Sequence, residues 1–369
     1  MIKVLHCADL HLDSPFSGLD PIQSENRREE QRELLRNLIC FIRNQHVDLV
    51  LIAGDLFDNA FTNSKTVKYA ADLFKSAGCP IVIAPGNHDP YTKNGIYSAG
   101  FPKNVYIFDD EKLSFFDFEE LGISVWGYAF TSPSYEKHPL GIEYSVNPER
   151  LNLLCAHADI IQSLSKYAPI SPAELNDSPF DYAAFGHIHN APDMGNYNGT
   201  LAGYSGCAEG RSFDELDFGG GILLEIEGRK ISPKKVQLAK RRYMIEKIDV
   251  TGAENDEDVI EKIRLRIQMR NYRDDTSLRV ILHGAVSSDY SPNKKLIEKY
   301  FVDLYSIDIK DETLPTFDEA VLMQDISVRG EFYRTLLQTI REGSEEDRKT
   351  AILALRLGLS ALDDKPIIL

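Results

Sequence analysis

Five short clusters of Asp, His, Asn and Gly, each closing an apolar run, fall within the first 190 residues and constrain this chain more than any other feature. They are Asp9-Leu10-His11, Gly54-Asp55-Leu56-Phe57-Asp58, Gly86-Asn87-His88-Asp89, Ala156-His157 and Gly186-His187-Ile188-His189. In an extended chain residues i and i+2 point the same way, so Asp9 with His11, and His187 with His189, are each expected to aim two donors at one ion. The glycines at 54, 86 and 186 stand where a strand gives way to a loop, leaving the backbone room to turn and to approach a ligand. A lone Asp-x-His or a lone buried His is more often structural, but five such clusters at strand ends point together to a metal site. His6, His46, His138 and His283 lack such company and read as packing or surface residues.

The runs that carry these clusters have an α/β rhythm. Val4 to Ala8, Leu49 to Ala53 and Pro80 to Ala84 are apolar, and helical stripes at Glu29 to Arg43 and Thr62 to Ser76 separate them. After Val105 the strands come faster, which predicts a second, more antiparallel sheet stacked on the first. The basic stretch Ser232 to Tyr243 marks a boundary, and beyond it the pattern reads as a small βαβαβ unit. From Phe317 onward it is helical: Ile326, Phe332, Leu336, Leu337 and Ile340 form one stripe, Gly343 is placed as a C-cap, and Ser344 with Asp347 reads as a capping box. The expected division is 1–240, 241–315 and 316–369.

At 369 residues and 43% hydrophobic composition the chain can bury one large core and carry a smaller domain. Its formal charge of −16 argues against a surface that grips nucleic acid through a general basic field. No apolar run is long enough to span a membrane, and the N-terminus passes straight into a strand, so membrane contact is not expected and a cytoplasmic location is. Five cysteines, odd in number and without a Cys-x-x-Cys pair, fit reduced thiols in buried strands and helices. Cys7 and Cys155 read as small buried thiols, and no disulfide is expected.

The motifs Asp-x-His, Gly-Asp-x-x-Asp, Gly-Asn-His-Asp, a separate His and Gly-His-x-His, in this order, resemble the signature of the calcineurin-like metallophosphoesterases. Leu12-Asp13-Ser14-Pro15-Phe16, Tyr204-Ser205-Gly206 and Gly210-Arg211-Ser212-Phe213 resemble the YhaO-like branch of the SbcD-type DNA repair exonucleases. Asp13 departs from the glycine common in SbcD proteins at that position. The resemblance implies an α/β two-sheet sandwich flanked by helices, with a small α/β cap domain and a C-terminal helical hairpin. It implies that Asp9, His11, Asp55 and His189 hold one divalent ion and that Asp55, Asn87, His157 and His187 hold a second. Mixed oxygen and imidazole donors suit Mn²⁺, with Fe²⁺ or Zn²⁺ as alternatives. His88 would act on the phosphate or the leaving oxygen, with Asp58 as its orienting partner or else a loop cap. The implied function is a nuclease acting on DNA ends or single strands with an SbcC-like ATPase, as a homodimer pairing through Thr62 to Ser76 and Tyr91 to Gly100. A small-molecule phosphodiesterase or phosphatase on the same fold is the second reading, and a scaffold with a vestigial site the third.

Overall fold

Short Val-, Leu- and Ile-rich runs buried on both faces make parallel strands, and such strands need helices to cover them. The computed structural model describes residues 1–17, 20–58, 62–98, 100–161, 164–287, 290–316 and 319–362. Ala99, Phe317 and the stretch 363–369, which belong to segments singled out above, lie outside the described residues. The chain divides into two compact units, Met1–Tyr243 and Met244–Leu369.

The first unit opens with β1 (Ile2–Cys7), α1 (Pro21–Gln45), β2 (Leu49–Ile52), α2 (Ser64–Lys75), β3 (Ile81–Ile83) and β4 (Val105–Ile107). These four strands pair in parallel in chain order. Helix α1 begins well before the expected stripe because Asp20 accepts from the backbone of Ile22 and Gln23 while the Gln23 side chain reaches back, a capping box with Pro21 at the first turn. Cys40 lies on its exposed side, unlike the other thiols. The remaining strands are β5 (Ser114–Phe118), β6 (Ile123–Gly127), β7 (Leu151–His157), then α3 (Pro172–Asn176), β8 (Tyr182–Gly186), β9 (Gly195–Tyr197), β10 (Thr200–Tyr204), β11 (Asp217–Glu227) and β12 (Lys230–Asp249), whose last residues belong to the second unit. Strand β11 pairs antiparallel with β1 and with β12.

The second sheet runs β5-β6-β7-β8-β10-β9 and is mainly parallel, against expectation. Pairs β6–β7, β7–β8 and β8–β10 are parallel, and only the two edge pairs are antiparallel. The connections between β6, β7 and β8 are long enough to cross back over the sheet, which closely spaced apolar runs do not reveal. Val4, Leu49, Leu51 and Val82 from the first sheet meet Val125, Leu153, Tyr182 and Ala184 from the second in one dry core. A second core packs α1 and α2 on the outer face of the first sheet through Leu35, Leu38, Val67 and Phe74.

The second unit carries α4 (Asp256–Arg270), β13 (Thr276–Ser287), α5 (Lys294–Glu298) and β14 (Ser306–Thr316), with β13 and β14 parallel. It also carries α6 (Glu319–Gln324), α7 (Val328–Glu342) and α8 (Glu345–Leu362), which close a small cluster around Leu322, Tyr333, Leu355 and Leu359. Ser344 and Asp347 form the expected box at the start of α8. Ile326 is 99% exposed and precedes α7, so it does not belong to the apolar stripe. No helix among the described residues is long and apolar enough to cross a membrane. Phe74 is fully buried, so Phe74→Ala should cost about 3–5 kcal/mol in urea unfolding, whereas Ile22→Ala, at a residue 75% exposed, should change stability by about 0.5 kcal/mol or less.

Candidate metal centre

The parallel strands β1, β2, β3 and β7 and their neighbour β8 all end at one edge, and the five motif clusters begin where those strands stop. The pairing does not stop there. Asp9 N donates to the Gly54 carbonyl, His11 N to Asp55 and Leu12 N to Leu56, so the loops after β1 and β2 remain tied side by side. Within these loops Asp9, His11, Asp13 and Asp55 have φ of 52°, 44°, 64° and 50°, and His187 after β8 has 105°. The paired donors are therefore aimed by left-handed turns, not by the alternation of an extended strand. Asp and His tolerate this backbone better than most residues. Asp13 takes the conformation a glycine would, and its carboxylate accepts from Asn63 N at the cap of α2.

Two glycines admit the site by absence. A Cβ on Gly54, whose φ is 94°, would stand 2.3 Å from His157 Nδ1, and one on Gly86 would stand 2.2 Å from Asp55 Oδ1. Asp55 can then sink to 1% exposure with its Oδ1 accepting from His88 N at 3.0 Å. Its Oδ2 lies 3.4 Å from His157 Nε2 and 3.7 Å from His11 Nε2. His11 Nε2 lies 3.2 Å from His189 Nε2, and His157 Nε2 lies 2.9 Å from Asn87 Oδ1. Asp9, also 1% exposed, accepts from His187 N and sits 3.8 Å from His189 Nε2.

The far side of each imidazole decides which nitrogen carries hydrogen. His157 donates Nδ1–H to the Ala53 carbonyl at 3.0 Å, and His189 donates Nδ1–H to Glu215 at 2.7 Å, so both present an Nε2 lone pair inward. His187 donates Nε2–H to Asp159 at 3.2 Å, which leaves the lone pair on its Nδ1. Burial holds His157 down to about 4, and it lowers His11 well below the ordinary histidine range. Burial and the nearby Asp55 charge push Asp9 well up, and the same causes raise Asp89 to about 7. Glu215 is also buried, yet hydrogen bonds from His189 and Arg211 hold it down to about 2.

Inward-facing lone pairs beside two buried carboxylates repel one another unless cations lie between them. The spacings of 2.9 to 3.8 Å match donors sharing an ion at about 2.1 Å. Asp9, His11 and His189 converge as one group of potential ligands, and Asp9, Asp55 and His157 as another. The buried His11 Nδ1 has no hydrogen-bond partner among the described residues. The donor set thus fits divalent metal, although His187 belongs to none of the convergent groups.

His88 stands at the mouth, its side chain 44% exposed, with Nδ1 3.2 Å from Asp58 Oδ1. The Asp58 hydrogen bond raises the His88 pKa above its ordinary value. His6, in contrast, is a core residue bonded to Tyr182 and Phe185 and held at about 3 by burial. Asp159, Glu215, Arg211 and Asp89 were not among the residues singled out as acting at the site. Asp89 accepts from Phe57 N, Gly86 N and Tyr97 Oη, and so fixes the loops that carry Asp55 and Asn87. Asp159, two residues after His157, carried a usable signal in its spacing; Glu215 is brought to His189 only by the tertiary fold.

Buried carboxylates and imidazoles gathered at the carboxyl ends of parallel strands are the equipment of a metal-dependent hydrolase. A profile of the calcineurin-like phosphoesterases matches residues 2–191, more than half of the chain, and the chain belongs to that family as a metal-dependent phosphoester hydrolase. It is 26% identical over 296 residues to the uncharacterized metallophosphoesterase YhaO of Bacillus subtilis, covering 77% of this chain and 72% of that one. It is 27% identical over 312 residues to the DNA double-strand break repair protein Mre11 of Aeropyrum pernix, covering 78% and 74%. It is 23% identical over 300 residues to a subunit of the nuclease SbcCD of Staphylococcus saprophyticus, covering 72% and 75%. Glu215→Ala should weaken Mn²⁺ binding about 10- to 100-fold in calorimetric titration, with the circular dichroism unchanged, because His189 loses the acceptor that orients it.

Proposed function

We propose that this chain is a two-metal phosphodiesterase of the SbcD type, YhaO-like branch, cleaving DNA at ends or single strands in repair. The observation that carries this reading is the convergence on Asp55, whose Oδ2 faces imidazoles from two different strand ends. In this reading Asp9, His11, Asp55 and His189 hold one ion, and Asp55, Asn87, His157 and His187 the other. The pair, Mn²⁺ by preference with Fe²⁺ or Zn²⁺ served by the same donors, supplies an activated water and balances charge on the phosphate. Asp58 orients His88, whose outer nitrogen protonates the leaving oxygen or donates to the phosphate. Relatives named for DNA break repair and for a nuclease support DNA as the substrate. The net charge of −16 favours the second reading, a small phosphodiester or phosphate monoester, unless a partner helps to hold the nucleic acid.

An SbcC-like ATPase docking on 316–369 is the partner of this reading. Val321, Met323, Val328 and Leu353 are more than 40% exposed around the α6–α8 cluster, which supports a docking face. Pairing of two copies through Thr62 to Ser76 and 91–100 belongs to it too; Val67, Ala70 and Phe74 are buried in the chain's own core, while Tyr69, Leu73, Tyr91 and Ile96 are only partly buried. Asp55→Ala should lose most bound metal and all hydrolysis, while His88→Ala should keep the metal and lose about 10²- to 10⁴-fold in kcat; an Asp55→Ala protein that retains two ions by metal analysis defeats the assignment. Deleting the chain after Thr316 should leave hydrolysis of a chromogenic phosphodiester nearly intact and abolish co-purification with an SbcC-like ATPase, and a truncated protein that unfolds would show the segment to be core.

A further inference from the structure

Two supports of the site, one behind His189 and one behind His88, are joined by a chain of polar contacts that the reading above leaves without a role. Glu215 accepts from His189 Nδ1 at 2.7 Å and from Arg211 Nη2 at 2.7 Å. The same guanidinium reaches Ser14 Oγ through Nη1 at 3.3 Å. Ser14 is 3% exposed, and its Oγ lies 2.9 Å from the His11 carbonyl and 3.3 Å from Asp58 Oδ2. Asp58 Oδ1 meets His88 Nδ1 at 3.2 Å. The order His189, Glu215, Arg211, Ser14, Asp58, His88 therefore runs unbroken around one side of the site.

Its parts are not interchangeable. Glu215 engages Arg211 through Nε and Nη2, a fork that fixes the guanidinium plane and leaves Nη1 to point at Ser14. The Ser14 hydroxyl has one hydrogen to donate, shared between the His11 carbonyl and Asp58, and accepts from Arg211. Ser14 thus sits on the loop of one proposed ligand, His11, while touching the carboxylate that steers His88. Asp58 holds His88 by one oxygen, and Ser14 is the side chain that restrains the other.

Building on the proposed role of His88, we infer that Ser14 and Arg211 are positioning residues that lock Asp58, and through it His88, in register with the His189 side of the metal centre. In hydrolysis of a dinucleotide, phosphorus gains a bond to a water oxygen and loses its bond to the sugar oxygen. That oxygen leaves with the proton from His88, and the proton released by the water restores the imidazole. A lax Asp58 would blur the placement of that proton without disturbing the ligands. The defect falls on alkoxide leaving groups, because 4-nitrophenolate departs as a stable anion and needs no acid.

The test compares Ser14→Ala, Asp58→Asn, Ser14→Ala/Asp58→Asn and His88→Ala on thymidylyl-thymidine and on the 4-nitrophenyl ester of thymidine 5′-phosphate, with bound Mn²⁺ measured for each. Ser14→Ala should bind two ions as the parent does, and its loss in kcat should be about tenfold greater on the dinucleotide than on the nitrophenyl ester. The double variant should lose no more than Asp58→Asn alone, because Ser14 acts through that carboxylate. Equal losses on the two substrates, an additive double variant or depleted metal in Ser14→Ala would each overturn the inference. If His88→Ala itself fails to discriminate between the substrates, the acid role of His88 falls and this inference falls with it. Discrimination by His88→Ala but not by Ser14→Ala overturns the positioning role alone.

Discussion

Everything at the site depends on two carboxylates being held almost fully out of water within reach of each other. Asp9 and Asp55 are each 1% exposed, and their mutual repulsion adds to the cost of burial. Backbone amides offset part of it: His187 N donates to Asp9 and His88 N to Asp55. What the amides leave uncompensated, positive charge must supply, and this is why inward lone pairs on His157 and His189 are tolerable in the same space. The cluster is arranged for an occupant, and the fold meets its cost elsewhere through two large apolar cores.

The left-handed loops are the device that makes this burial possible. A strand that simply continued past Cys7 would alternate its side chains between the two faces of the sheet. Left-handed φ at Asp9 and His11 turns both toward the pocket while the amides of the two residues stay bonded to the neighbouring loop. Each such residue costs about 1–2 kcal/mol, and the ladder of bonds from Asp9 to Asp58 is what sustains several of them side by side.

Much of this was legible beforehand. The strands, the two-layer plan and the gathering of Asp9, His11, Asp55, Asn87, His157 and His189 follow from motif order and apolar runs, because both are local signals. The way in which the donors are aimed was not legible, since alternation and left-handed turns place the same residues at the same spacing. Parallel pairing in the second sheet was missed because strand direction depends on crossovers, whose residues carry no periodic mark. Arg211 falls in the stretch Gly210-Arg211-Ser212-Phe213 and Glu215 just after it, both more than 20 residues beyond the last ligand cluster, and only the tertiary fold brings their side chains to His189. Ile326 misled because apolar character alone does not tell an exposed turn from a buried stripe.

The bare α-carbons of Gly54 and Gly86 have a bearing on how such a site can change over generations. At each, the first atom of any side chain would land within 2.3 Å of a buried group of the site. Most positions in a protein offer graded steps, in which a slightly larger residue is slightly worse and a neighbour can later adjust. These two offer none, since alanine, the smallest departure, already collides with His157 or Asp55. A lineage carrying this pocket can therefore remodel its rims and its second unit freely while these two codons stay still. Loss of the pocket, once begun at either glycine, would come in a single step and not by gradual decay.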